Sequence, residues 1–214
     1  MTSILVFGDS IAYGQWDIEG GWAQRLRKFI DEKYLEKYIS DPDFSSYLVY
    51  NLGIEQESSK ELLERAESEI KSRAGDKTVV IFSIGMNDCR YCHSKKAFYT
   101  TLAKFENNLQ KLVEIGKKFS AKIVFVGLTP VDEKKMDPSP WSSDESFRNE
   151  NVKKYNVVIR KVCERNNIHF IGIFDEWMKQ DYKKFLFEGL HLNSKGHEKI
   201  FVSVKDFLNQ KNLI

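Results

Sequence analysis

The stretch TVVIFSIG, residues 78–85, decides the fold that the sequence predicts. Its apolar residues lack the alternation of a strand with one face in water, and such runs are typical of strands buried on both faces of a parallel sheet. Four further runs of this kind occur along the chain: SILVF at 3–7, SYLVYNLG at 46–53, KIVFVG at 122–127 and HFIGI at 169–173. We therefore expect a covered sheet of five strands.

Segments with helical spacing of apolar residues separate these runs. The expected helices span residues 22–38, 58–73, 96–119, 148–166 and 194–208. The second of them begins with a Ser-x-x-Glu capping box at Ser58 and Glu61. Strict alternation of strands and helices, with right-handed crossovers, predicts a parallel sheet with helices on both faces.

Length and composition limit the number of domains and the classes of function that the chain can have. A chain of 214 residues fits one domain, 1–214. Its 33 Lys and Arg against 31 Asp and Glu give a net charge of +2, which argues against nucleic acid or an anionic membrane as the main partner. No apolar run is long enough to span a bilayer. The start MTSILVFGDS lacks a basic n-region, and the three cysteines form no disulfide framework, so we expect a cytoplasmic protein.

Ligands of such sheets bind beyond the carboxyl ends of the strands. The first strand is followed there by GDSIAYG, residues 8–14, in which Ser10 stands where the chain turns towards a helix. An exposed Ser10 hydroxyl in this place is a candidate nucleophile. Two other interpretations stay open at this point, namely that Asp9 or Ser10 caps the helix, or that the turn holds a phosphate.

The stretch FEGLHLNSKGH, residues 187–197, supplies a base for such a nucleophile. Glu188 and His191 are three residues apart, so one turn can bring the carboxylate to the imidazole Nδ1–H. The G-x-S-x-G elbow of α/β-hydrolases is absent, which indicates a different architecture. The third strand ends in GMND, residues 85–88, where the Asn87 amide can donate to an oxyanion or simply form a turn.

Taken together, GDS at 8–10, NLG at 51–53, GMND and EGLHLNSKGH resemble the four blocks of the SGNH (GDSL-type) esterase/lipase family, in order and spacing. The resemblance implies a flavodoxin-like three-layer α/β/α sandwich and a serine esterase that forms an acyl-enzyme from a small-molecule ester. It implies Ser10 as nucleophile, His191 as general base and Asn87 as an oxyanion-hole donor beside the Ser10 N–H. It implies no metal and no organic cofactor.

Two positions depart from the family pattern. Glu188 stands where the family usually has Asp, and Gln56 stands where a glycine N–H commonly joins the oxyanion hole. Because Gln adopts positive φ less freely than Gly, the hole is expected to differ in shape. These departures leave a non-catalytic flavodoxin-like binding module as the alternative. A thioesterase or acyltransferase would use the same residues as an esterase.

Residues 129–147 are the only long irregular stretch, and Trp141 within it is a candidate contact for the acyl or alcohol group. The alternative is a plain surface crossover. The histidines outside the proposed triad are interpreted as structural: His169 at a strand start and His197 as a local cap or packing residue.

The stretch CRYCH, residues 89–93, matches a c-type haem attachment motif, but the expected cytoplasmic setting argues against haem. Zinc bound by Cys89, Cys92 and His93 would need a fourth ligand, for which His191 and His197 are the candidates. The favoured interpretation is a loop beside the active site.

Overall fold

A computed structural model describes all 214 residues of the chain. Its central sheet contains the strands β1 (Thr2–Gly8), β2 (Tyr47–Gly53), β3 (Lys77–Ser83), β6 (Lys122–Val126) and β8 (His169–Ile171). Their order across the sheet is β2-β1-β3-β6-β8, and every neighbouring pair is parallel. Counted among themselves the five strands run 2-1-3-4-5, a doubly wound order. The five-stranded parallel sheet expected from the sequence is confirmed.

Helices connect these strands. They are α1 (Ser10–Tyr13), α2 (Gly21–Ser40), α3 (Ser59–Arg73), α4 (Leu102–Lys118), α5 (Glu133–Met136), α6 (Asn149–Asn166), α7 (Phe174–Trp177) and α8 (Ser194–Gln210), with a 3-10 helix at Tyr182–Phe185. α2 packs on α8, whereas α3, α4 and α6 form a second row. Right-handed crossovers place α2 and that row on opposite faces, because β2 lies on one side of β1 and the later strands on the other.

The core follows from the unbroken apolar runs of the central strands. Ile4, Leu5, Val6 and Phe7 of β1 are all completely buried, so the strand is covered on both faces. Forty-nine buried apolar residues form one continuous cluster around the sheet. No helix of the chain combines the length and the apolarity that crossing a bilayer requires.

The capping box predicted for the second long helix is present. The Ser58 side chain accepts from the helix backbone, and the Glu61 carboxylate accepts from the Ser58 N–H at 3.1 Å. The following long helix starts later than predicted, at Leu102 rather than Lys96. Thr101 is its N-cap, and Ala97–Phe98 forms a strand instead.

That strand belongs to a small antiparallel sheet beside the central one. β4 (Tyr91–Cys92) lies between β5 (Ala97–Phe98) and β7 (Glu145–Ser146). The CRYCH stretch is therefore part strand rather than only loop, and the stretch 129–147 is less irregular than predicted, since it also holds α5. Side-chain spacing along one segment did not reveal these two-residue pairings, which depend on partners distant in the chain.

Candidate active site

Ser10 lies at the carboxyl edge of the sheet, directly after β1. Asp9 is the N-cap of α1, and its Oδ1 accepts from the Ile11 N–H at 3.0 Å. Because Asp9 takes the capping role, the Ser10 hydroxyl is left to face the cleft. The turn is tight at Gly8, where a Cβ atom would lie 2.1 Å from the Ser83 carbonyl oxygen. Burial raises the pKa of Asp9 to about 7.

His191 meets Ser10 from the opposite end of the chain. Its Nε2 lies 2.9 Å from the Ser10 Oγ, although 181 positions separate the two residues. The Phe187 N–H donates to the His191 carbonyl at 2.8 Å and closes the turn that carries the imidazole. The structure thus brings together the serine and the histidine that the sequence paired, in a geometry that suits proton transfer.

Glu188 lies on the other side of the imidazole. Its Oε1 contacts the His191 Nδ1 within hydrogen-bond distance and also accepts from the His191 backbone N–H at 3.2 Å. Burial alone would raise the pKa of the Glu188 carboxyl, but the hydrogen bond and charge of His191 outweigh it and hold that pKa below its ordinary value. The second oxygen, Oε2, is buried without a protein partner. The longer acid therefore reaches the imidazole through one oxygen.

Gln56 and Asn87 line the same cleft as Ser10. Gln56 has a φ of 61°, the left-handed conformation that a glycine would adopt more easily. The Asn87 Nδ2 donates to the Glu57 carbonyl at 3.0 Å, which fixes the amide and leaves its second N–H for another acceptor. The turn after β2 and the turn after β3 are thus joined at the site.

A second link joins these two turns next to the first. The buried Asp88 carboxylate accepts from the Ser59 N–H at 2.9 Å and from the Ser59 hydroxyl at 2.6 Å. Burial raises the pKa of Asp88, and the hydrogen bonds from Ser59 oppose that shift. The GMND segment is therefore tied to the first residue of α3 as well as to Glu57.

The cleft above these residues has a volume of about 590 Å³. Aromatic rings stand on two sides of it. The Trp16 and Phe187 rings stack with centroids 6.2 Å apart, and Trp141 packs edge-on against Phe147 at 6.3 Å. The remaining lining is largely polar: Ser10, Gln15, Glu55, Gln56, Asn87, Arg90, Ser142, Glu145, Glu188, Leu190 and His191. The site can receive an apolar or ring-shaped group between its aromatic sides, beside the polar residues of the lining.

Trp141 lies beside the imidazole of His191, with the two ring centroids 6.2 Å apart and the ring planes tilted by 48°. It is half-exposed and belongs to a turn in which the Ser139 N–H donates to the Glu145 carbonyl at 2.7 Å. The His93 N–H donates to the Asp144 carbonyl at 2.8 Å and fastens that turn to the small sheet. The structure therefore places Trp141 at the cleft rather than on a remote crossover.

Nine cleft residues were missed by the sequence prediction, among them Trp16, Phe187, Arg90 and Glu145. Trp16 and Phe187 are exposed by 60% and 59%, and an exposed aromatic pair beside a candidate base is a functional signal only once the fold is known. Arg90 and Glu145 form an ion pair at 3.2 Å that links the GMND turn to β7. The only sequence signal for Arg90 was its place three residues after Asn87.

The cysteines and histidines considered as metal ligands are not brought together. No group of three or more His, Cys, Asp or Glu side chains is arranged to hold a metal ion. The Cys89 thiol is buried, donates to the Met86 carbonyl at 3.1 Å and has a raised pKa because of that burial. His197 is fully buried in α8, and no side chain hydrogen-bonds to its ring, so it packs rather than caps, and Asn193 is the cap.

Comparison with known proteins identifies the family of the chain. The model of the GDSL-like lipase/acylhydrolase family matches residues 6–199. A multidomain esterase of Ruminococcus flavefaciens is 25% identical over 221 residues, which cover 92% of this chain. The chain spans about a quarter of that relative's length, 27%.

Solved structures show the same fold. A lipase/acylhydrolase of Enterococcus faecalis superposes with a TM-score of 0.73 at 21% identity, covering 99% of this chain and 97% of that one. The acetyl xylan esterase AlAXEase superposes with a TM-score of 0.70 at 21% identity, covering 96% and 99%. At these identities the structural likeness concerns the fold.

Proposed function

The chain belongs to the GDSL-like lipase/acylhydrolase family, and on that premise we propose that it hydrolyses esters with Ser10, His191 and Glu188 as its catalytic triad. One observation carries the proposal: the three side chains form a continuous hydrogen-bonded chain at the floor of the cleft. A hydroxyl, an imidazole and a carboxylate in this order are the elements of nucleophilic acyl transfer.

In the proposed reaction the Ser10 Oγ attacks the ester carbonyl while His191 Nε2 takes the hydroxyl proton. Glu188 accepts from Nδ1–H, holds the imidazole in the required tautomer and stabilises the imidazolium. The imidazolium then protonates the leaving alcohol, and an acyl-enzyme remains on Ser10. Water, activated by the same imidazole, releases the acid.

The oxyanion of the tetrahedral intermediate is proposed to receive hydrogen bonds from the Ser10 and Gln56 backbone N–H groups and from the Asn87 amide. Support comes from the left-handed turn at Gln56 and from the fixed Asn87 amide, both of which line the cleft beside Ser10. Donors held in place before the reaction stabilise developing charge without reorganisation. Gln56 thus replaces the family's usual glycine through its backbone rather than its side chain.

The aromatic sides of the cleft support an ester with a ring-bearing alcohol. Trp141 lies beside His191, and Trp16 with Phe187 forms the other aromatic wall. One structural relative is named an acetyl xylan esterase, which favours an acetyl group as the acyl part. A series of p-nitrophenyl esters of increasing chain length tests this preference, and thioesters or acceptor alcohols added to the panel test thioesterase and transferase activity.

Covalent labelling tests the nucleophile. A fluorophosphonate probe is expected to label the wild-type enzyme at Ser10, because only an activated serine attacks phosphorus at a useful rate. Ser10→Ala should abolish labelling and esterase activity, whereas Ser203→Ala, on α8 away from the cleft, should change neither. Labelling that persists in Ser10→Ala would refute the assignment.

A further inference from the structure

We propose that Arg65 is a positioning residue that holds two donors of the oxyanion hole through Glu57. The inference rests on the proposed function, since it concerns how the hole is kept in shape. Arg65 lies on α3, outside the cleft, and has no part in the chemistry itself. Its guanidinium is nevertheless connected at two points, to the turn that follows β2 and to the end of β2 itself.

The first point is the Glu57 carboxylate, which Arg65 binds with two parallel hydrogen bonds. Nε donates to Oε1 at 2.5 Å and Nη2 donates to Oε2 at 2.6 Å. The second point is the Leu52 carbonyl, which also accepts from Nη2 at 2.6 Å. A planar guanidinium with several donors in fixed directions can hold both acceptors at once. Arg65 thus bridges residues 52–57 like a clamp.

Glu57 connects this clamp to two of the three proposed donors. Gln56, whose N–H is one of the proposed donors, lines the cleft and is the residue before Glu57. The Asn87 amide is oriented by the Glu57 carbonyl, at 3.0 Å. A shift of Glu57 would therefore move the Gln56 N–H along the chain and the Asn87 amide through its hydrogen bond. Small displacements of donors weaken transition-state stabilisation strongly.

The conformation of Gln56 explains why such a clamp is needed. A residue with a Cβ is strained at a φ of 61°, and such strain persists only where the surroundings over-determine the backbone. Glycine at this position would hold the turn with less help. The chain has Gln there, and the next residue is fixed by a bidentate ion pair.

A contribution to fold stability explains the Arg65–Glu57 ion pair less well than a positioning role does. The Glu57 side chain is only 3% exposed and that of Arg65 is 17% exposed, so forming the pair removes two charges from water. Burial raises the pKa of Glu57 above its ordinary value despite Arg65. Buried ion pairs of this kind are weak contributors to stability compared with apolar side chains of similar size. A role in geometry is the better explanation for its place beside the site.

The test measures kcat, KM and the rate of fluorophosphonate labelling for Arg65→Met. We expect kcat and the labelling rate to fall by about 10- to 100-fold with little change in KM, because the donors act mainly in the transition state. Arg65→Lys keeps the positive charge but cannot form the bidentate hydrogen bonds, so its kcat should lie between those of wild type and Arg65→Met. Arg73→Met is the matched control, because it removes a half-buried ion pair with Glu69 on the same helix. Its kcat and labelling rate should equal those of wild type.

A second substitution separates positioning from a general loss of folding. Adding Gln56→Gly to Arg65→Met should recover part of kcat, since glycine adopts the left-handed turn without the clamp. Equal labelling rates in wild type and Arg65→Met, or no recovery on adding Gln56→Gly, would overturn the inference. Absence of Ser10 labelling in the wild-type enzyme would instead overturn the proposed function, so the two failures are distinguishable.

Discussion

His191, just before α8, and His197, in the first turn of α8, have opposite environments, although only six positions separate them. His191 faces the cleft, and both its ring nitrogens have partners, Ser10 and Glu188. His197 is fully buried, and no side chain hydrogen-bonds to either of its ring nitrogens. One imidazole is arranged to accept and release a proton, and the other is placed where a charge is disfavoured.

The difference comes from what other segments supply. β1 delivers Ser10 to His191, whereas the first turn of α8 directs His197 inwards, beneath Gly21 at the start of α2. Burial and the nearby Arg25 charge lower the pKa of His197 to about 4, although Asp17 acts in the opposite direction. Residue type and local sequence therefore do not distinguish the proposed base from a packing residue. Contacts with residues distant in sequence do distinguish them.

Replacing each histidine gives the largest contrast. We expect His191→Ala to lower kcat on the order of 10⁶-fold with an unchanged fold, because the general base is lost. His197→Phe should keep most of the activity of each folded molecule and lose thermal stability instead, since it alters packing. Steady-state kinetics with p-nitrophenyl acetate and circular dichroism melts measure both effects. Similar kcat losses in the two variants would contradict the division of roles.

Glu188 tests how the base is held. Glu188→Gln should lower kcat on the order of 10⁴-fold, because a neutral amide neither fixes the tautomer nor stabilises the imidazolium. Glu188→Asp should cost about 100-fold, since the carboxylate remains but its reach from this turn is shorter by one methylene. The ratio of kcat between the two variants is the measurement. Equal activity in both would remove Glu188 from the triad.

Much of the fold was predictable because buried parallel strands have an unbroken apolar signature. All five central strands were predicted in place, and the match of residues 6–199 confirms the family that the four sequence blocks resemble. The start of α4 was predicted too early, since Ala97–Phe98 pairs with Tyr91–Cys92 and Thr101 supplies the N-cap. The sequence of a two-residue strand does not indicate that it will pair with a segment distant in the chain.

The site was predictable only where chemistry restricts residue type. Ser10, Asn87, Glu188 and His191 were chosen from the sequence and lie together at the cleft, while their catalytic roles stay a prediction. Trp16 and Phe187 were missed because aromatic residues serve as core far more often than as exposed walls. The left-handed turn at Gln56 was also beyond prediction, since it depends on partners from α3.

The smallest expected effect concerns the charge of His197 and is a pH dependence of stability. The unfolded histidine binds a proton below about pH 6.5, whereas the folded one stays neutral to about pH 4. Between these values the unfolded state binds more protons, so His197 makes the wild type lose stability as the pH falls from 6.5 to 4, by up to about 3 kcal/mol. His197→Phe, which does not titrate, should lose less over the same range.

Urea unfolding at pH 7 and pH 4.5 measures the difference, and His93→Gln is the control because His93 lies partly exposed beside Asp137. The control should follow the wild-type pH dependence, whereas His197→Phe should show a flatter one. An equal loss of unfolding free energy in wild type and His197→Phe would mean that the buried imidazole takes up its proton as readily as a free one. In that case the contrast between the two histidines would rest on position alone and not on charge.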